Sequence, residues 1–191
     1  MLNIPNTITI LRLLLVPVLA LLLLRGSFGA AIWVLLGAGI SDALDGFIAR
    51  RFNQLTYLGS VLDPLADKFL ITVSVLTLSW VGLLPWWLTA VIVLRDLVIV
   101  GGAVAYYIRA GGIEMSPTIP SKVNTLVQTC LIFLVLVNAT GMVQAAGWLP
   151  ALFGLALFTT LFSGVYYIVL WGRRGAELKP KAGRRPLTGD R

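Results

Sequence analysis

Six long apolar segments occupy most of this chain and limit its possible folds more than any other feature. They lie at 7–24, 29–51, 59–80, 85–108, 120–140 and 148–171. A helix needs about 20 mostly apolar residues to cross a bilayer, and each segment is close to that length. Hydrophobic residues make up 58% of the chain and charged residues only 12%, against about 25% charged residues in soluble domains. We therefore predict an all-α, polytopic integral membrane protein with six transmembrane helices.

The positions of Lys and Arg predict how these helices are oriented. They concentrate in alternate connections and at the C-terminal end: Arg50, Arg51, Arg109, Lys122 and seven residues within 172–191. The third and fifth connections carry none, and the first carries only one. Because short cytoplasmic loops are enriched in Lys and Arg, both termini are predicted to be cytoplasmic. Residues 1–171 then form the membrane domain, and 172–191 form a basic, disordered cytoplasmic tail that faces anionic lipid rather than nucleic acid.

Two absences exclude several kinds of chemistry. The chain has no histidine, so Ser-His and Cys-His catalysis and His-containing zinc sites are not available to it. It has a single cysteine, so no disulfide framework forms within one chain. Any catalysis must therefore depend on other groups, and acidic side chains are the main candidates.

Half of the acidic residues lie in one short stretch, 41–69. Four of the eight are found there: Asp42, Asp45, Asp63 and Asp67. The first two are spaced i, i+3 and the last two i, i+4, so each pair shares one face of its helix. An ionisable group within a span costs about 2.5–3.5 kcal/mol on insertion scales, so four clustered carboxylates need a compensating charge. Carboxylate oxygens are ligands that Mg²⁺, Mn²⁺ and Ca²⁺ prefer.

Three interpretations of the four aspartates remain open at this point. In the first, the aspartates form structural ion pairs with the neighbouring cations Arg50, Arg51 and Lys68. In the second they form a proton or cation relay, and in the third they hold metal ions. Relay carboxylates are usually scattered along a pathway, whereas these cluster at one predicted end of two helices, beside Gly46 and Gly59. Glycine permits close approach of a backbone or a ligand, although it serves helix packing equally well.

The stretch reads Asp42-x2-Asp45-Gly46-x2-Ala49-Arg50-x8-Gly59-x3-Asp63-x3-Asp67. This pattern resembles the signature of the CDP-alcohol phosphatidyltransferase family at every signature position. The resemblance implies a six-helix membrane enzyme, commonly a homodimer, that transfers a phosphatidyl group from a CDP-linked lipid to an alcohol and releases CMP. It implies CDP-diacylglycerol as the donor. We expect the enzyme in the bacterial inner membrane, with its active site facing the cytoplasm.

The same resemblance implies roles for individual residues. The four aspartates would surround two divalent ions, Mg²⁺ or Mn²⁺, with Asp67 also acting as the general base for the acceptor hydroxyl. The residues implied to bind the CDP-lipid are Gly46, Ala49, Arg50 and Gly59 of the signature, with Asn6 and Thr9 of the first helix. Asn6 and Thr9 form a polar stripe with Arg12, which a helix cap and an interfacial arginine would also explain.

The acceptor is predicted from four further segments, of which "SVLDPLADK" includes Asp63 and Asp67 of the signature. "RDLVIV" and "PSKVNTLVQ" are similar to the cardiolipin-forming branch of the family, whose acceptor is phosphatidylglycerol. "NIPN" and "SVLDPLADK" are shared with the branch that uses glycerol 3-phosphate, which stays the alternative. Arg95, Arg109 and Lys122 are candidate ligands of the acceptor phosphate or, equally, positive-inside anchors. An ion or proton transporter and an inactive membrane scaffold are the alternatives from other classes.

Overall fold

The computed structural model describes residues 4–51, 57–110, 118–141 and 147–177, and side chains within 10–41, 66–104, 118–141 and 147–170. These residues form six helices: α1 (Ile4–Leu24), α2 (Phe28–Arg51), α3 (Tyr57–Trp80), α4 (Trp86–Ala110), α5 (Ile119–Ala139) and α6 (Leu149–Glu177). The predicted all-helical class is confirmed, and the predicted segments match these helices closely. The largest difference is at α6, which continues from the predicted end at 171 to Glu177.

Three helices are long and apolar enough to cross a membrane within the residues whose side chains are described. They are the segments Trp86–Val104, Ile119–Ala139 and Leu149–Leu170. The described apolar parts of α1 and α2, Ile10–Leu24 and Phe28–Ser41, are shorter. A membrane protein is therefore well supported, while the number of spans and the cytoplasmic placement of both termini stay predictions.

Two groups of helices build the bundle. In the first, α1 packs against α2 and α3, and in the second, α6 packs against α4 and α5. Contacts of α5 with α2, and of α3 with α4 and α5, join the two groups. The core between them is aliphatic and includes Leu19, Leu78, Leu88, Leu131 and Leu136, all of which are fully buried. Many large apolar side chains on the outer surfaces of the helices are exposed, as expected of surfaces that face lipid.

Glycine ends the odd-numbered helices in the same way. Gly26, Gly82 and Gly141 each follow a helix and have positive φ angles of 70°, 85° and 74°. After α1, the amide of Ser27 donates to the Leu22 carbonyl, and after α3 the amide of Leu83 donates to the Leu78 carbonyl. Left-handed glycine caps of this kind satisfy the last carbonyls of a helix. They make the α1–α2 and α3–α4 turns tight.

Tryptophan collects at the end of the bundle that carries these turns. Among the residues with described side chains, the exposed tryptophans are Trp33 of α2, Trp80 at the end of α3, Trp86 and Trp87 at the start of α4, and Trp148 before α6. Tryptophan is enriched where a membrane protein meets the membrane–water interface. The belt therefore marks one interface, and the end of α2 with the start of α3 lies toward the opposite one.

Candidate functional site

The signature residues lie on the two helix ends that are remote from the tryptophan belt. The α2 members are Asp42, Asp45, Gly46, Ala49 and Arg50, and the α3 members are Gly59, Asp63 and Asp67. Both stretches are helical, as the spacing argument requires. Asp67 is the one member whose side chain is described, and the side chains of the other seven lie outside the described residues.

Asp67 contacts a buried arginine from the first helix. The Arg12 guanidinium, whose side chain is 0% exposed, donates from Nη1 to Asp67 Oδ1 at 2.8 Å. The Asp67 side chain is 38% exposed. α1 packs against both signature helices, and this packing brings Arg12 to α3. A hydrogen bond from a charged donor orients the carboxylate. Because the Asp67 side chain is partly exposed, the carboxylate stays accessible to a ligand.

A second acidic group lies at the junction of α3 and α4. Asp96 Oδ1 accepts a hydrogen bond from Arg95 Nη1 at 2.7 Å and from Lys68 Nζ at 3.0 Å. Asp96 therefore holds the guanidinium of Arg95, its neighbour in α4. Lys68 follows Asp67 directly in α3, so the Arg12–Asp67 and Lys68–Asp96 ion pairs lie at the same level along this helix.

Arg95 is held from several directions. Its Nη2 donates to Ser121 Oγ of α5 at 3.0 Å and to Ser163 Oγ of α6. Its guanidinium carbon lies 6.0 Å from the centroid of the Tyr167 ring, within the range of a cation–π contact. A Cβ built on Gly164 would lie 3.4 Å from Arg95 Cγ, so the glycine leaves room for the arginine stem. Arg95 thereby joins α4, α5 and α6.

A buried polar ladder continues from this junction between α5 and α6. Gln128 Nε2 donates to Thr160 Oγ1 at 3.3 Å, and Thr160 Oγ1 donates to Asn124 Oδ1 at 3.0 Å. All three residues are buried. Interhelical hydrogen bonds in a membrane contribute about 0.6 kcal/mol on average. The ladder therefore helps to fix α6 against α5 and keeps Ser163 in reach of Arg95.

The other predicted site residues outside the signature lie on α1, α4 and α5. Lys122 is exposed and follows Ser121 on α5, but Ser121, and not Lys122, is seen to contact Arg95. Arg109 lies in α4, and Asn6 and Thr9 lie in α1. The side chains of these three fall outside the described residues. Their predicted roles stay predictions.

Sequence reasoning missed several contacts that the fold creates. One of the three open interpretations paired Lys68 with the signature aspartates, whereas in the structure Lys68 donates to Asp96. Ser163 and Tyr167 were not predicted at all, because single polar residues on an apolar helix give no periodic signal. The spacing of Tyr167 four residues after Ser163 puts both on one face of α6 and is the only sequence feature that points to them.

The donor set of the signature fits a hard divalent cation. Its four carboxylates supply the oxygen ligands that Mg²⁺ and Mn²⁺ take. The described member, Asp67, is oriented by Arg12 and remains partly exposed. Among the residues with described side chains there is no group of three acidic, histidine or cysteine ligands, and the other three aspartates lie outside that set.

Comparison with known proteins agrees with the signature. The sequence profile of the family described as CDP-alcohol phosphatidyltransferase matches residues 2–165. Among the similar proteins is the CMP-forming cardiolipin synthase of Rattus norvegicus, 36% identical over 194 aligned positions that cover 92% of this chain. The CMP-forming cardiolipin synthase of Streptomyces coelicolor is 35% identical over 88% of this chain and 82% of its own length.

A relative with a different name is almost as similar. The probable phosphatidylglycerophosphate synthase of Mycobacterium tuberculosis is 34% identical over 87% of this chain and 80% of its own length. The chain spans 63% of the length of the rat relative, which is less than two thirds. The family profile nevertheless covers most of the chain and includes the whole signature. The chain belongs to the CDP-alcohol phosphatidyltransferase family.

Proposed function

We propose that this protein transfers the phosphatidyl group of CDP-diacylglycerol to a glycerol-type acceptor and releases CMP. The observation that carries the proposal is the position of Asp67. It belongs to the complete family signature, is oriented by the buried Arg12, and lies beside a cationic junction on α4. The proposal rests on family membership for the donor and on this geometry for the roles of individual residues.

The reaction needs one proton acceptor and one site for each substrate. The acceptor hydroxyl attacks the phosphatidyl phosphorus, the bond to the CMP oxygen breaks, and the hydroxyl proton passes to Asp67. Arg12 holds the Asp67 carboxylate in one orientation, which is what a general base requires. No covalent intermediate with the protein is needed in a direct displacement.

The other signature residues are proposed to bind the donor. Asp42, Asp45, Asp63 and Asp67 would hold two divalent ions, Mg²⁺ or Mn²⁺, and the family is generally dependent on divalent metal. When bound, such ions neutralise the negative charge that develops on the phosphate groups. The residues proposed to bind the CDP-lipid are Gly46, Ala49, Arg50, Gly59, Asn6 and Thr9.

The preferred acceptor is phosphatidylglycerol, which would make the product cardiolipin. Relatives from rat and Streptomyces coelicolor carry the name cardiolipin synthase, and the "RDLVIV" and "PSKVNTLVQ" segments agree with that branch. Glycerol 3-phosphate is the second candidate, because the Mycobacterium tuberculosis relative is nearly as similar. Both acceptors carry a phosphate, for which Arg95, Arg109 and Lys122 are the proposed ligands.

The setting of the reaction is proposed on the same grounds. We expect the chain to cross a bacterial inner membrane six times. Both termini and the active site are expected on the cytoplasmic side, and the protein is expected to form a homodimer. An ion or proton transporter is disfavoured, because the chain belongs to a transferase family and the contacts of Arg12 with Asp67 and of Lys68 with Asp96 are ion pairs between helices.

The proposal is tested by CMP release from CDP-diacylglycerol. Purified protein with Mg²⁺ or Mn²⁺ should release CMP only when an acceptor is present. Removal of divalent metal with EDTA should abolish the reaction, and added Mg²⁺ or Mn²⁺ should restore it. Absence of CMP release with either acceptor and either metal would reject the proposed activity, and full activity in the metal-free protein would reject the metal site.

A further inference from the structure

The sixth helix is longer than a membrane crossing requires. α6 has 29 residues, and its described apolar part, Leu149–Leu170, has 22. The last seven residues, 171–177, read WGRRGAE and continue the helix by about 10 Å at 1.5 Å per residue. The polar head-group layer on each side of the hydrocarbon core is about 5–8 Å thick. The helical extension is therefore long enough to carry α6 through that layer.

Most of the net charge of the protein lies at this extension and just after it. We define the basic segment as residues 173–185, which contain one acidic residue, Glu177, and six basic residues: Arg173, Arg174, Lys179, Lys181, Arg184 and Arg185. Six positive charges and one negative charge give the segment +5, out of +7 for the whole chain. Residues 173–177 are helical, and 178–185 lie outside the described residues. Four to eight Lys or Arg residues directly after a membrane span are typical of segments that bind anionic lipid head groups.

The basic segment begins at the end of the bundle that carries the candidate site. α6 starts beside the tryptophan belt, next to Trp148, and runs to the opposite end. There Ser163 accepts a hydrogen bond from Arg95, and the Tyr167 ring centroid lies 6.0 Å from the Arg95 guanidinium carbon. Arg173 follows Tyr167 by six residues in the same helix, which is about 9 Å along its axis. Because the segment is tethered there, it acts on lipids around the site at a high effective concentration.

We propose that the basic segment binds the anionic head groups of the surrounding bilayer and thereby concentrates anionic lipids around the site. The partner is defined by its chemistry, a diacylglycerol lipid whose phosphate groups are negatively charged at neutral pH. Both lipid substrates of the proposed reaction belong to this class, CDP-diacylglycerol through its diphosphate and phosphatidylglycerol through its phosphodiester. The concentration of substrates rests on the proposed function, whereas binding to the bilayer surface does not.

The first experiment measures the surroundings of the segment without turnover. Cys130→Ser removes the single native cysteine, Ala182→Cys places a thiol within the basic segment, and an environment-sensitive dye is attached to that thiol. The labelled full chain is reconstituted into nanodiscs of phosphatidylcholine, alone or mixed with phosphatidylglycerol. The dye emission should shift to the blue and its quenching by iodide should fall in the mixed bilayer. High salt should reverse both effects, because it screens the charges.

A charge-reduced variant shows whether the cations cause the shift. Its four substitutions lie beyond the described end of α6 and lower the charge of the segment from +5 to +1: Lys179→Gln, Lys181→Gln, Arg184→Gln and Arg185→Gln. Its dye emission should be the same in both bilayers. The matched control exchanges Lys and Arg at these four positions, keeps the charge, and should behave like the parent protein.

Two results of this experiment would overturn the proposal. One is equal emission of the parent protein in the two bilayers, which would leave the cations only the role of orienting the chain in the membrane. The other is a blue shift in the charge-reduced variant as large as in the parent, which would show that the positive charge is not its cause.

The second experiment measures whether lipids are concentrated at the site. One Lys or Arg near an anionic surface changes binding about fivefold, so the charge-reduced variant should raise the KM for CDP-diacylglycerol and for phosphatidylglycerol by at least that factor. A change in local concentration leaves the chemical step unaltered, so kcat should stay the same. The KM for glycerol 3-phosphate should also stay the same, because this acceptor is not held in the bilayer. Unchanged KM values for both lipids would reject the concentration of substrates.

The dye and kinetic measurements together separate this proposal from the proposed function. Charge-dependent binding of the segment to the mixed bilayer, without CMP release under any condition, would reject the transferase activity and leave the lipid-binding segment standing. CMP release by a protein whose dye emission is the same in both bilayers would reject the lipid-binding segment and leave the activity standing.

Discussion

Two buried arginines of this bundle each contact an aspartate, but they present opposite charges to the site. Arg12 is fully buried and its partner Asp67 is 38% exposed, so this pair displays a carboxylate. Arg95 is also buried, but its partner Asp96 is only 13% exposed and is shared with Lys68. That cluster displays a cation.

The difference follows from which helices meet at each arginine. Arg12 reaches Asp67 from α1, across the contact of α1 with the signature helices. Arg95 neighbours Asp96 in α4 and is enclosed by Ser121, Ser163 and Tyr167 of α5 and α6. We propose that the first of these regions supplies the proton acceptor and a metal ligand, and that the second contacts the phosphate of the acceptor.

The strongest test of the carboxylate half is Asp67→Asn. The amide oxygen still accepts a hydrogen bond from Arg12, so the fold should persist, but the proton acceptor is lost. General-base catalysis contributes about 10²–10⁴ in rate, and kcat should fall by that factor. CMP release at saturating substrates, measured over a range of pH, is the assay. Asp190→Asn in the C-terminal tail is the matched control, and near-normal turnover of Asp67→Asn at every pH would remove Asp67 from the base role.

The cationic half predicts a different kinetic effect. Arg95→Gln should raise the acceptor KM about ten- to hundredfold while the KM for CDP-diacylglycerol changes little. Lys122→Gln should have the smaller effect of the two, because Lys122 is exposed and a phosphate contact there is screened by water. Steady-state kinetics with phosphatidylglycerol and with glycerol 3-phosphate measure the acceptor KM of both variants. An unchanged acceptor KM in both variants would show that these cations are only membrane anchors.

The smallest expected effect concerns the glycine that faces Arg95. Because a Cβ at Gly164 would lie at 3.4 Å from Arg95 Cγ, Gly164→Ala should be tolerated with unchanged acceptor KM. Gly164→Leu should displace the arginine stem, cost about 1–3 kcal/mol by overpacking, and raise the acceptor KM. Thermal unfolding in detergent and acceptor KM are measured for both variants. Equal acceptor KM in wild type and Gly164→Leu would show that the position of Arg95 is irrelevant to acceptor binding.

The helices of this fold were predictable from sequence, because the bilayer thickness sets the length of each apolar segment. The predicted ends of the first five spans agree with the structure to within three residues. The end of α6 was missed, because a basic, polar sequence after 171 gives no apolar signal although the backbone stays helical to Glu177.

The side-chain contacts between helices were much less predictable. The contact of Arg95 with Asp96 joins two residues that are adjacent in sequence. The contacts of Arg12 with Asp67 and of Lys68 with Asp96 join residues 55 and 28 positions apart. Such contacts depend on how each helix is rotated about its axis, and the apolar pattern of a helix that faces both lipid and protein does not fix that rotation.

The most direct test of the proposed activity is identification of the lipid product. Purified protein in detergent with Mg²⁺ receives CDP-diacylglycerol and either phosphatidylglycerol or glycerol 3-phosphate, and the lipids are identified by mass spectrometry. We expect a new phosphodiester lipid formed in equal amount to CMP, and specifically cardiolipin from phosphatidylglycerol. Phosphatidylglycerophosphate from glycerol 3-phosphate alone would correct the acceptor and keep the transferase. CMP with no new acceptor lipid, or no CMP at all, would contradict phosphatidyl transfer.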